Sequence, residues 1–248
     1  MSVKKILALI CAFLIFGSIQ VRAETEKECF ENVSRAIFKF NHGLDNYVLE
    51  PVARGYNKLP EPIKKGTGNF TSNIATLLSI PNHFLQGNFD AAGDAIGSFM
   101  INSTIGILGF ADVASVLGVN KTKEDLGQTF GRYGAGGGCY FVLPVLGPTT
   151  VRDSVGMVGD MFLDPFTTMT LRQKEVLNQV KPSSYYYAVK GGEVVDFRAD
   201  NMKAFEDLEK NSLDLYSATK SFYLQKRERQ ISNSTISKDD DWEEIEKK

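Results

Sequence analysis

The sequence predicts a mostly α-helical protein. Apolar residues recur at helical spacing in several segments, period-two alternation is scarce, and proline and glycine cut the chain into helix-length pieces. Val33, Ile37, Phe40, Leu44 and Val48 share one stripe, so a first amphipathic helix is expected there. Pro51 should kink or restart it, with continuation to about Leu59. Pro60 and Pro62 break it, and Ile63 to Leu78 reads as the next helix. Pro81 to Gln86 is expected as a short turn or helix closed by Gly87. Asp90 to about Thr104 is helical, with Gly106 and Gly109 ending it. Asp125 to Arg132 forms a short helix. Thr149 and Thr150 can cap another from Val151 to about Leu163, stopped by Asp164-Pro165. A long, well-charged helix is expected between about Val194 and Arg229, with Phe205, Leu208, Leu215 and Phe222 on one stripe.

The two ends of the chain read differently. Lys4 and Lys5 precede an apolar stretch, Ile6 to Ile19, followed by Val21-Arg22-Ala23, the layout of a cleaved secretory signal peptide over residues 1–23. The stretch is short for a bilayer span, which needs about 20 residues. Ile10 precedes Cys11, which is not a lipobox, so no acyl anchor is expected. Residues 24–231 form the folded domain. Residues 232–248, "SNSTISKDDDWEEIEKK", are expected as a disordered acidic tail. Two cysteines survive cleavage, Cys29 and Cys139; they are read as small semi-buried thiols, although an exported protein can join them.

Charge is unevenly spread. The net charge of -2 falls to about -5 once Lys4, Lys5 and Arg22 leave, so no basic surface for nucleic acid is present. Gly66 to Val151 holds only eight charged residues: Asp90, Asp94, Asp112, Lys121, Lys123, Glu124, Asp125 and Arg132. From Lys190 onward roughly two residues in five are charged. Either the starved segment forms the inside of a core, or its outside meets something other than water. Composition alone favours the buried core.

Chemical sites are scarce. In "GRYGAGGGCYFVLPVLGP" (Gly131–Pro148), a dinucleotide fingerprint counted from Gly134 would need glycine where Cys139 stands, and no G-K-[ST] follows. His42 and His83 have no metal-ligand spacing. Cys139, a conceivable nucleophile, is followed by Tyr140, Phe141 and Val142, an apolar setting that quiets a thiol. No enzyme, cofactor or metal is expected. Gly134, Gly136, Gly137 and Gly138 admit conformations closed to other residues. They allow two readings: a flexible uncharged hairpin tipped by Tyr140 to Leu143 that lies against acyl chains or gates a passage, or a rigid turn inside a core.

Ordered segments resemble one known family. "RAIFKFNHGLDNYVLEPVARGY" (35–56), "NFTSNI" (69–74), "NHFLQG" (82–87), "NSTIGILGFADVA" (102–114), "EDLGQTFGRYGAGGG" (124–138) and "YFVLPVLGPTTVRD" (140–153) are similar to motifs of the MlaA (VacJ) family, as is "SLDLYSATKSFYLQKRERQI" (212–231). The resemblance implies a ring-shaped helical protein held in the inner leaflet of the outer membrane, on its periplasmic side. Phospholipid misplaced in the outer leaflet would leave through an amphipathic channel and pass to a periplasmic lipid carrier, then to an inner-membrane ABC-type lipid transporter. Porin trimers are partners of family members. A soluble periplasmic lipid-binding or scaffold protein is the alternative.

On this resemblance Gly134, Gly136, Gly137, Gly138 and Tyr140 fall in the loop that adjusts the channel. Phe40 and Asn41 match an F-N pair of the first helix, and Asn102 and Asp112 lie in the N-S-T-x-G…D-x-A motif. The chain departs from the family at Val33-Ser34-Arg35, Leu77 and Ser98. At Cys139 a cysteine replaces the usual proline, which is expected to loosen the loop. With no lipobox, retention would rest on the embedded ring.

Overall fold

The computed structural model describes residues 28–119, 121–172 and 182–232. The expected leader lies outside them, as does all of the expected tail except Ser232. Helix α1 (Glu31–Leu44) passes through a π-helical turn (Asp45–Leu49) into α2 (Glu50–Tyr56). The expected restart at Pro51 is thus a widened turn: proline has no N–H to continue the α register, and the π segment directly precedes it.

Helix α3 (Glu61–Leu85) corrects the expected break at Pro81, which lies inside it. Proline removes one backbone hydrogen bond, but contacts on the earlier part of α3 keep the helix whole. Gly66 lies against Phe110, and Asn73 Nδ2 donates to Ser103 Oγ at 3.0 Å. Gly87, with φ +72°, turns the chain, and the Asn88 side chain caps α4 (Phe89–Thr104), which packs back along α3. Asp112 caps α5 (Val113–Val116) and Asp125 caps α6 (Leu126–Arg132).

After the glycine run comes an antiparallel pair, β1 (Tyr140–Leu143) and β2 (Gly147–Thr150), with Tyr140 opposite Thr150 and Leu143 opposite Gly147. Thr150 then caps α7 (Val151–Leu163), and Asp164 ends it and caps α8 (Pro165–Thr167). A π-helical turn, Thr168–Arg172, follows. The single helix expected from Val194 to Arg229 is three: α9 (Pro182–Asp200), α10 (Met202–Asn211) and α11 (Leu215–Ser232). Ser212 is extended, and Asp214 accepts the backbone N–H of Tyr216 at 3.1 Å and the Ser217 hydroxyl at 2.7 Å, starting a new helix. Phe205, Leu208, Leu215 and Phe222 therefore span two helices.

Cys29 and Cys139 form a disulfide with Cα atoms 5.3 Å apart, not the separate thiols expected. It fastens the N-terminal segment beside β1, where Glu28 bridges to Tyr140. The Glu28 carboxylate accepts the Tyr216 hydroxyl and Lys220 Nζ, the latter at 2.6 Å. Tyr140, Val142 and Tyr216 form a small buried apolar cluster, with Ile37, Phe38, Tyr223 and Leu224 packed around it. Tyr140 is fully buried, so it is no hairpin tip; Val145 and Leu146 occupy the exposed turn. Helices α6 and α7 cross backbone to backbone, since a Cβ on Gly156 would lie 2.7 Å from the Gly127 Cα.

Candidate functional site

The fold is built inside out relative to a water-soluble bundle. Among the described residues nine apolar side chains are buried, five of them alanines, whereas 36 large apolar side chains are exposed. Helix α7 shows the inversion most clearly. Val151, Val155, Val158 and Phe162 form an outward stripe, each 47 to 58% exposed. The opposite face carries Asp153 and Gly156, both turned into the protein, and Asp160. Ile96 and Met100 of α4, Ile105, Ile107, Leu108 and Phe110 of the following loop, and Val116 and Leu117 extend the apolar exterior. Exposed apolar surface of this extent marks a surface that does not meet water. No helix among the described residues is long and apolar enough to cross a membrane.

The interior is correspondingly polar. Asn73, Ser79, Asn82 and His83 of α3, Ser98 and Asn102 of α4, and Gln128 and Thr129 of α6 are all buried. Hydrogen bonds join several of them, as burial of polar groups favours, while Ser98 Oγ has no partner among the described residues. Thr129 Oγ1 donates to Asn82 Oδ1 at 2.8 Å, and Gln86 Nε2 donates to Glu124 Oε2 at 2.9 Å and Thr129 Oγ1 at 3.0 Å. Arg227 of α11 grips the α6 cap, Asp125, and the first turn of α7, Asp153, at once. Its guanidinium donates to both Asp125 oxygens at 2.7 and 2.9 Å and to both Asp153 oxygens at 2.8 and 3.2 Å. Tyr223 adds a 2.6 Å bond to Asp153. Burial alone would raise the Asp153 carboxyl, but the Arg227 bonds hold it far below the usual carboxylate range.

Asp160 is the exception. Burial, then the charges of Asp125 and Asp164, push its carboxyl up to about 7, against hydrogen bonds from the Leu126 N–H at 3.0 Å and Asn82. A carboxyl with a raised folded-state pKa stabilises the fold below its unfolded value of 3.8, and that contribution is lost as pH rises to about 7. Asp160→Asn should therefore flatten the decline in Tm between pH 4 and 7, and raise Tm at pH 8 by a few degrees. Parallel pH–Tm curves for the two proteins would contradict this assignment.

Two clefts lie end to end along α3. The larger, of about 680 Å³, is bordered by Lys64, Lys65 and Ser72 of α3 and by Val194, Asp196, Phe197 and Asp200 of α9. The second, of about 260 Å³, continues past Ile74, Ala75 and Leu78 toward Gln128 and Asp164. Lys123 and Glu193 border both. The α3 residues involved run from Glu61 to Ser79, about 27 Å at 1.5 Å per residue. A groove with charged groups along its larger cleft and the aliphatic Ile74, Ala75 and Leu78 beyond them suits an amphipathic molecule.

The residues expected to form the site lie elsewhere, in two joints. Asn41 pins the hairpin turn: its Nδ2 donates to the Leu143 carbonyl at 2.8 Å and its Oδ1 accepts the Val145 N–H at 2.8 Å. Phe40 beside it is exposed. Asn102 Nδ2 donates to Asp112 Oδ1 at 2.8 Å while its Oδ1 accepts the Ala114 N–H at 2.9 Å. Burial works to raise Asp112, but bonds from Ser115, Asn102 and Lys121 outweigh it and hold the carboxyl at about 2. Gly134 and Gly138 have φ of +86° and +74°; Gly136 and Gly137 do not lie in the left-handed region. Cys139 and its disulfide close the far end of the run, so the cysteine tethers the loop it was expected to loosen and carries no free thiol. The groove is not legible in the sequence because its walls, α3 and α9, are 97 positions apart, from Leu85 to Pro182.

The profile of the family described as "MlaA lipoprotein" matches residues 26–230. An uncharacterized protein of Rickettsia bellii is 34% identical over 207 residues, covering 82% of this chain and 76% of that protein. The "Intermembrane phospholipid transport system lipoprotein MlaA" of Haemophilus influenzae is 30% identical over 215 residues, covering 84% and 81% respectively. A solved structure described as "Structural basis for maintenance of bacterial outer membrane lipid asymmetry" superposes with a TM-score of 0.69 at 28% identity, over 83% of this chain and all of that one.

Proposed function

The chain belongs to the MlaA lipoprotein family, and from that premise we propose that it removes misplaced phospholipid from the outer membrane and passes it along the α3–α9 groove toward the periplasm. The inverted distribution of side chains carries this reading: the apolar stripe of α7 and the 105–117 region face acyl chains, while polar groups line the interior. The charge-starved segment supplies the part of this exterior before α7, so the second alternative is favoured over the buried core. Lipid leaving the groove would be taken by a periplasmic carrier and an inner-membrane ABC-type transporter, and a trimeric porin is a fitting neighbour for the apolar rim. The protein supplies a path and no bond-breaking step, and a hydrolase built on Cys139 is set aside because that sulfur is in a disulfide.

The relatives named MlaA are called lipoproteins. Here Cys29 is bonded to Cys139 and Cys11 falls within the expected leader, so we assign retention to the embedded apolar face. A soluble scaffold would leave the α7 stripe in water, with about 25 cal/mol lost for each Å² exposed. Filling the groove tests the route. Ser72→Trp should raise phospholipid in the outer leaflet, read by outer-leaflet lipid labelling, to near the level of a strain lacking the protein. Unchanged labelling in a stably expressed, membrane-bound variant would remove the groove from the path.

A further inference from the structure

The larger cleft holds charges of both signs that the protein leaves unneutralised. On α9, Asp196 and Asp200 stand one turn apart, and among the described residues neither forms an ion pair. Carboxylates at i, i+4 repel each other. The Tyr56 hydroxyl nevertheless donates to Asp196 Oδ1 at 2.8 Å, fixing it toward α3. Gly68 leaves the room it needs, because a Cβ there would lie 2.7 Å from Asp196 Oδ2. Burial and the neighbouring Asp196 charge raise the Asp200 carboxyl above its ordinary value, and Lys64, itself drawn to Glu61, offsets this only in part.

The cations around the cleft are not equivalent. Lys64 and Lys65 are both drawn to Glu61, at 3.0 and 3.6 Å, and Lys190 of the adjoining cleft is held by Glu193 at 3.2 Å. Lys123 has no ion-pair partner among the described residues, and it borders both clefts. One side of the cleft thus lacks a cation and another lacks an anion, while Ile74, Ala75 and Leu78 offer an aliphatic wall alongside.

We infer that this cleft is a headgroup subsite selective for zwitterionic, amine-bearing phospholipids, with the ammonium at Asp196 and Asp200, the phosphate at Lys123 and the acyl chains toward Ile74 and Leu78. An anionic headgroup without an amine would bring its charge against two unpaired carboxylates, which is discrimination by repulsion as well as attraction. The inference rests on the groove being the lipid route, and its test separates the two.

The mature chain in detergent micelles is titrated with dihexanoyl phosphatidylethanolamine and, separately, dihexanoyl phosphatidylglycerol. The amine lipid should bind about fivefold more tightly, a ratio equal to ~1 kcal/mol, the upper range for a partly exposed ion pair. Asp196→Asn with Asp200→Asn should bring the ratio to about one, as should Asp200→Asn in part, which disturbs the packing less. Lys123→Ala should weaken both lipids similarly. Equal affinities in the unmodified protein, or an unchanged ratio in the acidic-pair variants, overturn the headgroup inference while leaving the groove as a lipid path if Ser72→Trp abolishes binding of both lipids. Unaltered binding in Ser72→Trp overturns the groove and the headgroup inference together.

Discussion

Arg227→Ala is expected to lower the melting temperature in detergent by about 10 °C and to release α11 from the body of the protein. The guanidinium binds Asp125, the cap of α6, and Asp153, in the first turn of α7, through four hydrogen bonds of 2.7 to 3.2 Å. Truncation leaves the half-buried Asp125 without its cation and the buried Asp153 with Arg152 alone, and removing one partner of a buried ion pair costs about 3–5 kcal/mol. A protein of this size loses roughly 2–4 °C for each kcal/mol. The pH dependence distinguishes this cause from lost packing. The bonded Asp125 and Asp153 carboxyls are held below their unfolded value of 3.8, so their contribution is present above that pH and fades as pH falls through the folded values. The gap between the variant and the unmodified protein should therefore narrow below about pH 4. Arg227→Lys should recover only part of the loss, since one ammonium cannot grip two carboxylates bidentately. An Arg227→Ala protein melting within 2 °C of the original would show that α11 is held by other contacts.

Replacing Cys29 and Cys139 together by serine should have a comparable effect. The disulfide closes a loop spanning 110 residues, and in the chain-entropy account a loop of about 100 residues is worth ~4.7 kcal/mol. A drop in melting temperature of about 10–15 °C is expected, and the unmodified protein treated with a dithiol should melt with the variant. The Glu28 bonds to Tyr216 and Lys220 remain in both cases, so the N-terminal segment should loosen without the domain unfolding at room temperature. An unchanged melting curve in the double serine variant, or in the reduced protein, would contradict the staple.

Much of the helical framework could be read from single residues because its punctuation is local. Asn88, Asp125 and Thr150 cap the helices that follow them, and Gly87 takes the left-handed conformation that ends α3. Pro81 misled because the sequence shows the lost backbone bond but not Ser103 and Phe110 holding the same helix. The break at Ser212 escaped notice because the apolar stripe from Phe205 to Phe222 runs on in register across it; the break at Asn201 lies ahead of that stripe. Strands of four residues carry too little alternation to register, so the sequence leaves Tyr140 and Val142 open between a hairpin tip and the core. The disulfide and the groove both join residues over 100 positions apart, which no local pattern encodes. The bounds of α7 were legible from Thr150 and Asp164-Pro165, but bounds do not say which face meets the interior. Only the scarcity of charge from Gly66 to Val151 hinted at an apolar exterior, and that segment ends where α7 begins.

That outward face is what the whole account depends on, and vesicle flotation after a salt wash tests it directly. Mature protein mixed with phospholipid vesicles and washed in 1 M salt should rise with the lipid, because surface charge attraction is screened at that ionic strength and apolar insertion is not. Val155→Asp with Val158→Asp, which puts two charges on the α7 stripe, should shift a substantial fraction back to the aqueous layer. A detergent-free, monomeric protein that stays at the bottom of the gradient without lipid would contradict the account.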